Sequence, residues 1–316
     1  MRSLLLACML ALAPTAWAAG APTGMLWHNS FFLGAKLGKG FYVSPLNGGA
    51  PIEIIRRSEM DVAVWPDGRQ FMVTHYDVYQ GSTGFVVMNP AGAALYQGQL
   101  DGYVRDVAPS PTDRRLALVR QGKDTVAPFE DVILDLATLK PRRRISDDDW
   151  FAWMPDGRFM LISIKTGRMR VASVDGAQET QVGQLVVPAD WAMGGFTVSP
   201  TGKQFVMRMR HRSAKGESDL WIANIDGSGL EQFTDAKATT NAVWSPDGRY
   251  VAYKVDLGYA CSTAGFCAGG CDQYYTPVEL RKVRGQANQP GSQNFNVRDL
   301  EGRVKPLGCS VQAWTP

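Results

Sequence analysis

Ala242-Val243-Trp244-Ser245-Pro246-Asp247-Gly248-Arg249-Tyr250-Val251-Ala252-Tyr253 is the stretch whose reading decides the fold. A short apolar run enters a tight turn and an alternating run leaves it. Proline presets φ for the turn and glycine accepts a positive φ. The alternation from Arg249 to Asp256 is that of a half-buried strand. Upstream, Asp219 to Ile225 reads as a third strand, Asp226-Gly227-Ser228-Gly229 as its turn and Leu230 to Thr234 as a fourth. Four short strands between turns make one unit of β-structure. The β-branched, aromatic and Gly/Pro-punctuated composition argues against a helical repeat.

The unit recurs. Pro66-Asp67-Gly68-Arg69 and Pro155-Asp156-Gly157-Arg158 are near-copies of the turn, and Pro111-Thr112-Asp113-Arg114 and Pro200-Thr201-Gly202-Lys203 are weaker ones. Successive prolines are about 45 residues apart, and another step back from Pro66 lands on Pro22-Thr23-Gly24. A fixed period in this range means stacked units that bury their apolar faces against one another. Six units follow. The last is completed by the chain end, because Gln312-Ala313-Trp314-Thr315-Pro316 copies the run entering the turn at Pro246. That end supplies the innermost strand of a unit whose other strands are roughly Met25 to Phe32, Phe41 to Ser44 and Ile52 to Arg56. The expected fold is all-β: a six-bladed β-propeller closed by pairing of the C-terminal strand with the N-terminal blade, which removes the edges an open sheet would carry.

Asp219 to Thr234 followed by Ala242 to Tyr253 resembles the repeats of the TolB-like propellers. The likeness holds in period over residues 19–316 and is sharp in about three of the six units. The resemblance implies an exported propeller of the Gram-negative envelope. The family's namesake carries an additional α/β domain before its propeller. Here the first blade follows within a few residues of the leader, so its partner interactions do not carry over.

Residues 1–18 read as that leader: Arg2 supplies the charge, Leu4 to Leu12 the apolar region and Ala16-Trp17-Ala18 the small residues of a cleavage site. A lipoprotein reading at Cys8 leaves an apolar region of only about four residues, shorter than the usual ~7–15. Export makes the protein periplasmic or secreted and places Cys261, Cys267, Cys271 and Cys309 in an oxidising compartment, where two disulfides of undetermined pairing are expected. Their spacing lacks the paired hooks of a zinc site. The remaining composition is that of a folded globular protein, 45% hydrophobic and 20% charged, with 33 basic and 30 acidic residues. This balance excludes a partner that must have many phosphates neutralised, so no nucleic acid is expected.

Departures from the repeat mark candidate sites on the rim opposite the P-D-G turns, around the channel mouth. An insertion at about 257–293 carries Cys261, Cys267, Cys271, Tyr274 and Tyr275. The blade is expected to resume at Asn294 to Asp299, with Cys309 in the next connector. Asp147, Asp148 and Asp149 enter the fourth blade, and Asp61, Arg105, Asp106, Asp190 and Asn241 hold similar positions. Arg142, Arg143 and Arg144 lie on an outermost strand and offer themselves to an acidic partner. His28, His75 and His211 fall at unequal offsets in different blades and do not read as a metal triad. Trp65, Trp153, Trp244 and Trp314 end innermost strands, where packing between blades accounts for them. No G-x-S-x-G elbow, P-loop or dinucleotide fingerprint is present. No catalytic residue, metal or cofactor is therefore expected. The reading is a monomeric, non-enzymatic scaffold that docks an envelope protein or a cell-wall component through its mouth rim. The alternative is a secreted enzyme acting on a polysaccharide there.

Overall fold

The computed structural model describes residues 21–30, 40–55, 61–126, 128–213, 217–261, 267–279, 293–307 and 311–316. The leader and Cys309 lie outside them. Blade 1 holds β1 (Met25–Ser30), β2 (Gly40–Pro45) and β3 (Ile52–Ile55). Blade 2 is β4 (Asp61–Val64), β5 (Phe71–Asp77), β6 (Ser82–Met88) and β7 (Ala94–Asp101). Blade 3 is β8 (Tyr103–Pro109), β9 (Leu116–Gly122), β10 (Glu130–Asp135) and β11 (Lys140–Ile145). Blade 4 is β12 (Asp149–Trp153), β13 (Phe159–Ser163), β14 (Arg168–Ala172) and β15 (Glu179–Gln184). Blade 5 is β16 (Trp191–Val198), β17 (Gln204–His211), β18 (Ser218–Asn224) and β19 (Glu231–Gln232). Blade 6 is β20 (Thr239–Trp244), β21 (Tyr250–Cys261), β22 (Cys267–Pro277) and β23 (Gln293–Asn294). β24 (Asn296–Arg298) and β25 (Val304–Pro306) form a separate hairpin, and β26 (Val311–Thr315) returns to blade 1 in the order β26-β1-β2-β3.

The ring closes as its repeat requires. Met25 pairs with Thr315, Leu26 with Trp314 and Trp27 with Ala313, and the Trp27 indole N–H donates to Thr315 Oγ1 at 3.0 Å. The core is divided among six apolar clusters, one in each space between neighbouring blades. Met160, Ile162 and Met169 of blade 4 meet Phe205, Met207 and Met209 of blade 5, for example. Tyr250 and Tyr275 of blade 6 meet Leu26, Tyr42 and Trp314 of blade 1. Such alternation of burial along every strand lets each blade face two neighbours, and it makes each blade depend on both.

The P-D-G turns interlock one blade with the one before. In each, the aspartate accepts from the backbone N–H two residues on, as Asp67, Asp156 and Asp247 do for Arg69, Arg158 and Arg249 at 3.0 Å. The glycine then sits at positive φ against the preceding turn. Gly157 (φ +85°) lies where a Cβ would overlap Thr112, and at Gly68 (φ +67°) a Cβ would stand 2.8 Å from Thr315 Oγ1. The strand-end tryptophans reach back similarly. The Trp153 indole donates to the Ala108 carbonyl at 2.8 Å and that of Trp244 to the Thr197 carbonyl at 3.1 Å.

Blade 6 departs from the expected strand order. The third strand is β22, not Asn294 to Asp299, which instead contributes to the fourth strand and the extra β24–β25 hairpin. The reason is register: Tyr250 to Asp256 pair continuously with Cys271 to Pro277, which sets Tyr253 against Tyr274 and Ala252 against Tyr275. The displaced hairpin keeps its apolar side chains buried, with Phe295, Val297 and Leu307 filling the space between blades 6 and 1. β21 and β22 run on past the mouth rim as a long hairpin, with Cys261 opposite Cys267.

Candidate functional site

An antiparallel blade puts its second-to-third turns and its exit connectors at the end away from the P-D-G turns. An axial shaft of about 530 Å³ runs between the two ends, lined at the turn end by Pro66, Pro111, Pro155 and Pro200. Val64, Ala108, Phe151, Phe196 and Val198 line its apolar length, and Asp106, Arg120, Asp131 and Trp150 stand at its mouth. Beside it, a recess of about 160 Å³ brings Asp61, Arg105 and Asp106 together with Asn29, Thr74 and Gln312. A third depression joins Arg105, Asp147 and Asp149 to Arg120, Asp131 and Trp150.

The charges at the mouth fall into two kinds. Some are spent on each other. Arg120 grips Asp131 through Nε and Nη2 at 2.8 and 2.5 Å, which holds the guanidinium more firmly protonated than usual. Asp149 is buried against Arg170 at 2.6 Å, and Arg170 also reaches Glu179 at 2.7 Å. Asp148 meets Lys165 at 2.8 Å on the surface, where such a pair adds little. The others are unspent. Asp61 and Asp106 have no ion pair among the described residues, and Asp106 accepts only the Val107 N–H at 2.9 Å. Solvent reaches both, but the surrounding protein wall removes enough hydration to push both carboxyls up. For Asp106, Asp131 and Asp61 add to the rise, against the Val107 N–H and Arg120.

Other expected site residues lie apart from this cluster. Asp190 is exposed in the connector to blade 5, where its carbonyl accepts from the Arg212 N–H at 2.8 Å. Asn241 is exposed at a bulge in β20, with φ +53°, a conformation asparagine tolerates. Tyr274 and Tyr275 are buried within blade 6 instead of lining the rim, because the register of β22 turns them into the cores on its two faces. The three outer arginines have acids of their own: Arg142 meets Asp135 at 3.5 Å, Arg143 meets Glu179 at 2.8 Å and Arg144 meets Glu130. His28 is buried beside Ser44, His75 is exposed and His211 packs edge-on to Trp191, each on a different blade.

The rim carries a second feature. The four most exposed large apolar side chains among the described residues are Tyr79 (98%), Val126 (88%), Val186 (78%) and Val78 (66%). All four lie on mouth-side turns or connectors of blades 2 to 4, joined there by Ile164.

The fold has close solved counterparts. TolB of Acinetobacter baumannii superposes with a TM-score of 0.58 at 14% identity, over 94% of this chain and 68% of that one. A TolB candidate from Agrobacterium tumefaciens gives 0.54 at 15% identity, over 93% of each chain. The chain shares the six-bladed propeller fold of these TolB structures. No protein-family model matches it. Dipeptidyl-peptidase 5 of Porphyromonas endodontalis is 33% identical over 85 residues, which is 26% of this chain and 12% of that protein.

Within this propeller, Trp150, Arg120 and Asp131 are the mouth residues that sequence reasoning missed. A signal for Trp150 was present. It stands five residues before Pro155, as Asp61 stands before Pro66 and Asp106 before Pro111, so one repeat offset feeds the mouth from successive blades. The exposed rim residues had no such mark.

Proposed function

We propose that this propeller is an exported, non-enzymatic scaffold that docks an envelope protein or cell-wall partner through its mouth rim. The observation that carries the reading is the gathering of the most exposed apolar side chains on that one rim, beside a polar mouth. Strongly exposed apolar side chains gathered on one face beside polar groups mark a candidate interaction surface. The TolB-like fold supports it by analogy. No helix among the described residues is long and apolar enough to cross a membrane.

The test compares cross-linked captures from an envelope extract. The native protein and a Leu95→Asp/Leu300→Asp control on the turn side should retain the same stoichiometric partner. Tyr79→Asp/Val126→Asp/Val186→Asp should lose it. Equal capture by all three proteins would defeat the reading, and release of sugar from cell-wall glycan would favour the enzymatic alternative.

Export also predicts the chemistry of the chain itself. The intact mass of protein recovered from the envelope should correspond to a mature chain beginning at Ala19. Unfolded without reductant, it should take up no iodoacetamide, because Cys261, Cys267, Cys271 and Cys309 form two disulfides. The opposed positions of Cys261 and Cys267 make them one natural pair. Labelling at any of the four would refute the pairing, and a retained leader would refute the export.

A further inference from the structure

The shaft and its mouth differ in character, and the difference specifies a ligand. Along its length the shaft is apolar, and its volume of about 530 Å³ falls within the ~300–1,000 Å³ of small-molecule sites. Asp106 stands where the shaft meets the recess that holds Asp61. The nearby arginines are committed elsewhere, Arg120 to Asp131 and Arg105 over the Phe129 ring at 4.9 Å. Two carboxylates thus share a confined mouth with no cation paired to either among the described residues. Their upward-pushed pKa values have the same first cause, lost hydration, which at Asp106 outweighs the nearby Arg120 and the Val107 N–H.

We propose that the shaft binds a small amphipathic ammonium compound, its aromatic or alkyl body among the shaft's apolar walls and its protonated amine against Asp61 and Asp106. Each half needs the other. An apolar body alone leaves the carboxylates uncompensated, and a bare amine gains little against water at a solvated mouth. The site goes beyond docking at the rim and stands whether or not the rim takes a partner.

The experiment is calorimetric titration of the folded protein with 4-phenylbutylamine, 4-phenylbutanol and 4-phenylbutyrate, which share a body and differ in the head group. The amine should bind at least tenfold more tightly than the alcohol, and the carboxylate more weakly than either. Asp61→Asn/Asp106→Asn should abolish the preference for the amine and leave the alcohol's affinity in place. Gly195 lines the shaft and has nothing within 4 Å of where a Cβ would stand. A side chain can therefore leave the backbone there, and Gly195→Trp should occupy the shaft and weaken all three ligands together. An amine that binds no better than the alcohol, a preference that survives the double substitution, or affinities untouched by Gly195→Trp would each overturn the assignment.

Discussion

Replacing Trp314 by Ala should remove about 3–5 kcal/mol of stability, the usual cost of truncating a large buried aromatic. Trp314 is buried on β26, packs on Tyr250, Tyr275 and Phe295, and donates its indole N–H to the Thr23 carbonyl at 2.8 Å. The loss combines vanished contacts, a cavity and an orphaned carbonyl, all at the seam where the ring closes. Deleting Gln312 to Pro316 should go further, since β1 then loses its inner neighbour and shows an unpaired edge between two apolar clusters. Denaturant unfolding measures both. Gln312→Ala, at the bulge of the same strand, serves as a near-neutral reference. If Trp314→Ala shifted stability no more than Gln312→Ala, closure would contribute no stability and the ring would be held by its other five interfaces.

The second large effect is with pH. His28 is fully buried on β1, with Nε2 2.9 Å from Ser44 Oγ and its ring stacked on Tyr42. Burial pushes its pKa down to about 4 from 6.5, with the Asn29 backbone opposing only part of the shift. The folded protein therefore holds His28 neutral where the unfolded chain protonates it. Its contribution is intact above pH 6.5, erodes as pH falls below that value and is fully lost near pH 4. A shift of this size corresponds to about 3 kcal/mol. Native protein should lose that much more stability between pH 7 and pH 4 than His28→Gln does. Parallel pH curves for the two proteins would show that His28 carries no such linkage. Because His28 pairs with Val311 of β26, the same seam is where acid should first be felt.

The parts of this molecule written in the sequence are those set by short range. A P-D-G turn is a local conformation, so its copies announce the blades, and the likeness of Gln312–Pro316 to the run before Pro246 announces the closure. Strand identity in blade 6 is a long-range matter. Asn296 to Arg298 has the alternation of a third strand, but the tyrosines of β22 make the better match to β21 and displace it. The mouth was legible as positions and not as partnerships. Asp61 and Asp106 were marked by their place at the strand starts, as was Asp149, yet only the folded ring reveals that Arg170 neutralises Asp149 while the other two have no ion pair among the described residues. Tyr79 and Val126 were invisible for a like reason, since exposure depends on what neighbouring loops leave uncovered.

The pairing of Met25 with Thr315 also gives the molecule a direction. β1 starts and β26 finishes on the P-D-G side, so a tether attached at either end leaves from the face opposite the mouth. A propeller immobilised through such a tether presents its mouth outward, unobstructed by its own attachment, and any polypeptide grafted onto either end stays clear of whatever occupies that mouth.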